Sequence, residues 1–263
     1  MTDVPTISVI TINRNTGHDV QRTIASVLGQ DIPFEWVVVD GASSDDSITA
    51  LRAALRPGDR CLSEPDRGIS DAFNKGIQLA SGDAVIFMNA GDEFASPEAL
   101  RLLRDAWLVD RHDWITGTAQ VIHPDGRILF RRSPRTHGDT WHLVRHGCRV
   151  FHQATLARRK LFLEYGGFDE SFRIAMDYEL WLRWMVRGRH PQVVDVTVCR
   201  YRTGGVSGNV RRRFAEDRRA RAAYALINPL ATDARLWSVA MLKSALGSNM
   251  GPWAYRMKER LGW

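Results

Sequence analysis

The sequence predicts an α/β fold built on a mostly parallel central sheet flanked by helices, and three observations predict it. Short apolar runs rich in β-branched residues recur at 6–12, 34–39 and 84–88. Segments with helical spacing of apolar positions separate them. The runs end on polar residues, Asn13 after the first, Asp40 after the second and Asn89 to Asp92 after the third. Apolar strands alternating with amphipathic helices mark a sheet covered on both faces.

The elements follow in order. The strand 6–12 (TISVITI) leads to a helix over 19–29 with Val20, Ile24, Val27 and Leu28 on one face. The strand 34–39 (FEWVVV) stops at Asp40-Gly41, and Ser44 or Asp45 is placed to cap a helix running to Leu55. Residues 60–63 form a short strand, and 69–80 a helix with Ile69, Phe73, Ile77 and Ala80 aligned. The strand 84–88 (AVIFM) stops at Asn89, and Ser96-Pro97-Glu98 opens the next helix with Pro at its first position. A β-hairpin is expected over 114–133 around His123-Pro124-Asp125-Gly126. Residues 150–163 mix strand and helix, 176–187 are helical, and 193–201 alternate like a half-buried strand. From Arg211 the chain reads as helices broken near Asn228-Pro229 and Gly251-Pro252. The expected organisation is a nucleotide-binding half over 1–107, an acceptor-binding half over 108–209, and a basic helical extension over 210–263.

Bulk properties narrow the functional classes. No run approaches 18 apolar residues, so no membrane-spanning helix is expected. Met1 to Ile12 shows no basic segment followed by an apolar stretch, so no secretory signal is expected. The three cysteines, Cys61, Cys148 and Cys199, are widely spaced, which suits a reducing cytoplasm. Charge is divided unevenly. Residues 1–100 hold seven Lys and Arg against fifteen Asp and Glu, a net of −8, and residues 101–263 hold 29 against 15, a net of +14. An acidic first half argues against a nucleic-acid-binding protein, and no nucleic-acid partner is expected. The arginines of 211–221, with Trp237, Trp253 and Trp263 beyond, suit either a peripheral contact with anionic lipid or a helical cap on the catalytic domain.

In open α/β sheets ligands bind at the carboxyl ends of the strands, which places Asn13, Asp40 and Asp92 on one rim. No G-x-G-x-x-G and no G-x-x-x-x-G-K-[ST] follows a strand, so dinucleotide dehydrogenases and P-loop enzymes are disfavoured. A nucleotidyltransferase would need a basic phosphate loop after the first strand, and Asn13 to Gly17 matches one weakly. Asp92 follows a buried strand, where a carboxylate suits Mg²⁺ or Mn²⁺ that takes its other ligands from a diphosphate and water. Asp71, Asn74 and Lys75 share one side of a helix whose N-terminus points toward the rim and favours an anion.

The segments VVVDGASSDDS (37–47), SEPDRGISDAFNKGIQLASGD (63–83), FMNAGDEF (87–94), FHQATLARRKLF (151–162), GGFDESFRIAMDYELWLR (166–183) and GGVSGN (204–209) occur in this order. Together they resemble glycosyltransferase family 2, and more narrowly its bacterial branch that builds exopolysaccharide, O-antigen or glycolipid glycans. The resemblance covers residues 6 to 209. It implies a GT-A fold and transfer of a sugar from a nucleotide-sugar donor to a hydroxyl of a glycan or lipid-linked acceptor, with inversion. It implies that Asp40 holds the base, that Asn13 contacts the nucleoside, and that Asp66, Asp71 and Asn74 line the donor pocket. The family's metal motif carries several acids; here Asn89-Ala90-Gly91-Asp92 keeps only the last, which makes Asp92 the expected Mn²⁺ or Mg²⁺ ligand and Asn89 a water or sugar contact. The acidic pair that precedes a helix in the family reads Met176-Asp177, so Asp177 is the expected general base. Glu179 faces away and is expected to be structural. His152 falls at a position near the acceptor or donor sugar, and Arg200 or Arg202 beside the glycine-rich 204–207 is expected to reach phosphate. The eroded metal motif leaves an alternative, a catalytically impaired nucleotide-sugar-binding protein of the same fold. The resemblance also implies a cytoplasmic protein, peripheral at the inner face of the membrane.

Overall fold

The computed structural model describes residues 5–110, 112–123, 125–134, 140–145, 147–202 and 210–224. The expected alternation is present. Strand β1 (Ile7–Asn13), helix α1 (Val20–Leu28), β2 (Glu35–Asp40), α2 (Ser47–Ala54), β3 (Arg60–Ser63), α3 (Ile69–Leu79), β4 (Ala84–Phe87) and α4 (Ala99–Asp110) follow in turn, with a two-residue strand β5 (Glu93–Phe94) before α4. The second half adds β6 (Trp114–Ile122), β7 (Ile128–Arg132), a short α5 (His142–Arg145), β8 (Thr155–Arg158), α6 (Arg159–Tyr165), α7 (Met176–Met185), β9 (Gln192–Arg202) and α8 (Val210–Ala223).

Among the described residues the strands form one sheet in the order β3-β2-β1-β4-β8-β6-β9-β5, with β7 beside β6. The first four strands are parallel, as the apolar runs predict. Beyond β4 the sheet is mixed: β8 runs antiparallel to both β4 and β6, and β9 runs parallel to β6. The hairpin expected over 114–133 is the antiparallel β6–β7 pair. Sequence patterning missed β5, which is too short for a periodic signal.

Period-two alternation decides which side chain meets which layer. Ile10, Val37, Val39 and Phe87 point to one face, under α3, α6 and α7. Val9, Val38, Trp36 and Ile86 point to the other, under α1, α2 and α4. On the first face Trp114 stacks on Trp181 with ring centroids 4.8 Å apart, and Trp184 meets Trp114 edge-on at 5.6 Å. This aromatic block seats α7, which carries Asp177.

Two local expectations are corrected. Helix α2 starts at Ser47 with Asp46 at its N-cap, so neither Ser44 nor Asp45 caps it. Asp45 instead accepts the Ser47 N–H at 3.1 Å, a local side-chain turn that competes with capping. Helix α4 starts at Ala99, three residues after Ser96. The glycine-rich 204–207 segment and the helices expected after residue 224 lie outside the described residues. Among the described residues no helix is long and apolar enough to cross a membrane.

Gly76 lies where α3 crosses β1. A methyl group built there would stand 2.5 Å from Ile10 Cγ2, a fully buried side chain. Alanine normally improves a helix by about 1 kcal/mol over glycine. Here overpacking, typically about 1–3 kcal/mol, outweighs that gain. Gly76→Ala is therefore expected to lower the Tm in a thermal melt, the reverse of the usual effect.

Candidate active site

The ends of β1 and β2 build the first wall. The register places Asn13 beside Asp40. Asp40 is fully buried and accepts four hydrogen bonds: from Asn13 Nδ2 at 2.7 Å, the Ser43 hydroxyl at 2.5 Å, the Ser43 N–H at 3.0 Å and the Ser63 hydroxyl at 2.7 Å. Burial by itself would raise its pKa, but the donors of Ser43, Ser63 and Asn13 outweigh burial and hold the carboxyl below its ordinary value. Asn13 also donates to the Ser47 hydroxyl at 2.9 Å and accepts from Thr16. The loops that follow are bent sharply, with Asn15 and Ala42 in the left-handed region at φ 52° and 55°. Asp40 thus organises the rim from beneath, and its acceptor sites are taken.

The loop from Glu64 to Gly68 and the start of α3 form the second wall. Asp66 accepts the Gly68 N–H at 2.9 Å and lies 3.5 Å from the exposed Arg14 guanidinium. Asp71 is buried and accepts both the N–H and the guanidinium of Arg67 at 3.0 Å, with Lys75 Nζ at 3.3 Å. Burial opposes its ionisation, and these hydrogen bonds and the Lys75 charge override it, so its pKa is lowered. Asn74 turns away from the rim: its amide donates to Phe168 O and accepts from Phe168 N, both at 2.8 Å. The structure therefore makes Asn74 a clamp on the 167–168 backbone, in place of the expected donor contact. A methyl group at Gly167 would collide with its oxygen.

The centre is built by a single 3-10 turn, His152–Ala154, which enters β8. Gln153, 1% exposed, donates to Asp92 Oδ2 at 2.7 Å. His152 Nδ1 lies 3.5 Å from Asp177 Oδ2, and its Nε2 lies 3.0 Å from Asn89 Nδ2. The ring thus faces Asp177 with Nδ1 and Asn89 with Nε2. Asp177 stands in the first turn of α7 and accepts the Tyr178 N–H at 2.7 Å. Asp92, Asn89 and Asp177 are thereby linked through the one turn His152–Gln153. Glu179 lies on the opposite side, paired with Arg183 at 2.7 Å and with the Tyr224 hydroxyl, as its helical offset predicts. Arg202 ends β9 beside Asp92, with its guanidinium 3.3 Å from Glu93.

Asp92 is the least compensated carboxylate of the site. Burial pushes its pKa up to about 6, against the Gln153 hydrogen bond, the His152 charge and the Arg202 N–H, with Glu93 adding to the rise. Among the described residues no three His, Cys, Asp or Glu converge to cage a metal. The donor set nonetheless fits a divalent cation that takes most ligands from a diphosphate. Asp92 supplies the charge, and the buried Asn89 Oδ1 and Gln153 Oε1 beside it have no hydrogen-bond partner.

The comparisons with known proteins agree with this geometry. The model of Glycosyl transferase family 2 matches residues 8–166. A glycosyltransferase of Mycobacterium tuberculosis is 34% identical over 219 residues, spanning 80% of this chain and 79% of the relative. The chain belongs to glycosyltransferase family 2. A second relative, the PGL/p-HBAD biosynthesis glycosyltransferase of Mycobacterium bovis, is 28% identical over 185 residues, 68% of this chain and 69% of its own. Two solved structures share the fold. Staphylococcus aureus TarS 1-349 in complex with UDP-GlcNAc superposes with a TM-score of 0.66 at 18% identity, covering 88% of this chain and 70% of that one. The mannosyltransferase PcManGT of Pyrobaculum calidifontis, in complex with GDP-Man and Mn²⁺, gives 0.61 at 21% identity, covering 99% and 81%. The glycosyltransferase has the GT-A fold.

Sequence reasoning missed the contacts of three residues that hold this glycosyltransferase's site. Gln153 was visible in the His-Gln pair, but nothing local tied it to Asp92. Thr23, buried on α1, donates to Asp92 O at 2.7 Å and accepts the Gly91 N–H at 2.9 Å, which fixes the 89–92 turn. Glu216 sits in a helix with no apolar face, so periodicity could not reveal it.

The Asp92 shift sets the sign of a stability effect. A pKa raised in the folded state contributes stability at low pH and loses it as pH rises through about 6. The displacement from 3.8 corresponds to about 3 kcal/mol against ionisation. Asp92→Asn, which keeps an acceptor for Gln153, should therefore raise the metal-free Tm at pH 7.5 by roughly 5 °C or more. It should also abolish any rise in Tm on adding Mn²⁺.

Proposed function

We propose that the protein transfers a sugar from a nucleotide-sugar to a hydroxyl of a glycan or lipid-linked acceptor, with inversion, in the synthesis of a cell-surface polysaccharide or glycolipid. One observation carries this reading. The His152-Gln153 turn binds the candidate diphosphate-side acid, Asp92, and the candidate acceptor-side acid, Asp177, from adjacent residues. A single carboxylate on the attacking side, with no second acid placed as a nucleophile among the described residues, fits inversion. The names of the relatives and neighbours support the substrate class: a glycolipid pathway for the mycobacterial protein, and UDP-GlcNAc or GDP-Man for the solved structures.

The roles follow the geometry. Asp177 takes the proton of the acceptor hydroxyl as its oxygen attacks the anomeric carbon. His152, with Nδ1 3.5 Å from Asp177 Oδ2, orients the Asp177 carboxylate, and Asn89 sets the ring. Asn13 and Asp40 shape the rim that receives the base, and Asp66, Asp71 and Arg67 hold the loop beneath the donor. Asp92 would hold Mn²⁺ or Mg²⁺, an ion that supplies charge stabilisation to the departing nucleoside diphosphate. Arg202 would face the diphosphate from β9. The outer face of α8 exposes Arg211, Arg218 and Arg219, which supports peripheral contact with anionic lipid.

Screening UDP-, GDP- and dTDP-sugars with Mn²⁺ or EDTA tests this function. One donor series should release nucleoside diphosphate in a cation-dependent way, with the anomeric configuration inverted in the product by NMR. Donor binding without release would favour the binding-protein alternative that Asn89 and Gly91 suggest. Asp177→Asn should reduce nucleoside diphosphate release by about a hundredfold or more while leaving donor affinity within a few-fold. Near-normal turnover of Asp177→Asn would contradict the assignment.

A further inference from the structure

Helix α8 was expected to be a basic extension, yet its inner face is charged and covered. Arg213, Glu216, Asp217, Ala220, Arg221 and Tyr224 recur at helical spacing and lie toward the catalytic body. The intervening Arg211, Arg212, Ala215, Arg218 and Arg219 are exposed. A buried charged stripe is costly unless every charge finds a partner. Glu216 finds three at one spot. Its Oε2 accepts the N–H of Arg173 at 3.0 Å, of Ile174 at 2.8 Å and of Ala175 at 3.0 Å, and its Oε1 takes Arg212 Nε at 3.1 Å.

Those three amides lead directly into α7. The residue at its N-cap is Ala175, whose side chain cannot cap. A carboxylate beside a helix N-terminus is favoured by the helix dipole. Glu216 therefore anchors, from another helix, the two residues that lead into α7 and its N-cap residue Ala175. Asp177 follows Ala175 by two residues, so the backbone that Glu216 grips is the backbone that delivers the base. The same segment is held from its other side, where the Arg173 guanidinium donates to Arg67 O in the donor-side loop and Ser70 Oγ donates to Phe172 O at 3.1 Å.

We propose that Glu216 is a positioning residue for the catalytic base: by gathering the N–H groups of 173–175 it sets the start of α7, and α8 is thereby a working part of the catalytic body. This rests on the reading of Asp177 as the base. Loss of the carboxylate frees three amides, that of Ala175 buried, lets 173–177 relax and moves Asp177 off the acceptor oxygen. Donor contacts on β1, β2 and β4 lie elsewhere and stay in place.

The test compares Glu216→Gln and Glu216→Asp with the parent full chain. UDP-glucose, UDP-N-acetylglucosamine, GDP-mannose and dTDP-rhamnose serve as donors, with Mn²⁺ and octyl glycosides as acceptors. Nucleoside diphosphate release gives kcat and the donor KM, and hydrogen exchange reads the 173–177 amides. Glu216→Gln should lower kcat by about tenfold to a hundredfold, the scale of a small misplacement of a reacting group, with donor KM within about twofold. Exchange should quicken at 173–177 alone, and Glu216→Asp should recover most of the rate. An unchanged kcat in Glu216→Gln overturns the proposal. So does a loss in which kcat, donor KM and exchange across the sheet worsen together, because that marks a general folding role. Asp177→Asn run alongside separates the two readings: if it stays active, the base assignment itself fails and the proposal fails with it. If it is inactive while Glu216→Gln is normal, only the present proposal fails.

Discussion

Two adjacent side chains on one 3-10 turn hold the site together: Gln153 grips Asp92 and His152 faces Asp177. Asp92 belongs to the loop after a parallel strand of the first half, and Asp177 to a helix of the second. Neither half alone sets their separation. The turn that joins them is placed by β8, which is antiparallel to β4 on one edge and to β6 on the other. The point where the parallel sheet gives way to the mixed one is therefore the point where the two proposed roles meet. Phe73 meets the His152 ring edge-on at 5.2 Å and continues this placement into the core.

The carboxylates around this brace are stabilised by different means, and the differences track their roles. Asp40 is satisfied by neutral donors, Asp71 by cations, and Glu216 by backbone amides. Each has its pKa held below the ordinary value, so each strengthens the fold at neutral pH and weakens it on acidification. Asp92 alone among these four is left under-compensated, with its pKa raised to about 6. A group kept uncomfortable by its surroundings, in a site whose other acids are satisfied, is where a cationic partner would gain most. Asp217 on α8 shows the same rise to about 6, mainly from burial, with Arg213 and Arg221 opposing it. It lies in the charged stripe that seats α8, where paired burial specifies orientation more than it adds stability.

Much of the fold was legible because its signals are local. Apolar runs such as AVIFM and the spacing of Ile69, Phe73 and Ile77 need no knowledge of distant residues. The rim was legible for the same reason, since strand ends place Asn13, Asp40 and Asp92 by topology alone. What could not be read is tertiary pairing. Asn74 shares a helix face with Asp71, yet its amide is consumed by Phe168, 94 residues away. Asp40 matches a base-binding position, yet Ser43, Ser63 and Asn13 fill its acceptor sites. Glu216 and Thr23 hold the site from helices with no motif to flag them. The arginine-rich character of α8 hid its inner stripe, because net charge says nothing about which charges a neighbour will bury.

The central claim is that Asp92 and Asp177 address one substrate from its two ends, with a divalent cation on the Asp92 side. Crystals soaked with Mn²⁺ and a nucleotide-sugar, measured at the manganese absorption edge, test it directly. The account predicts a single anomalous peak bridging Asp92 and the diphosphate, with the Asp177 carboxylate facing the anomeric carbon from the side opposite the leaving group. An anomalous peak remote from Asp92, or a sugar whose anomeric carbon lies out of reach of Asp177, would contradict it.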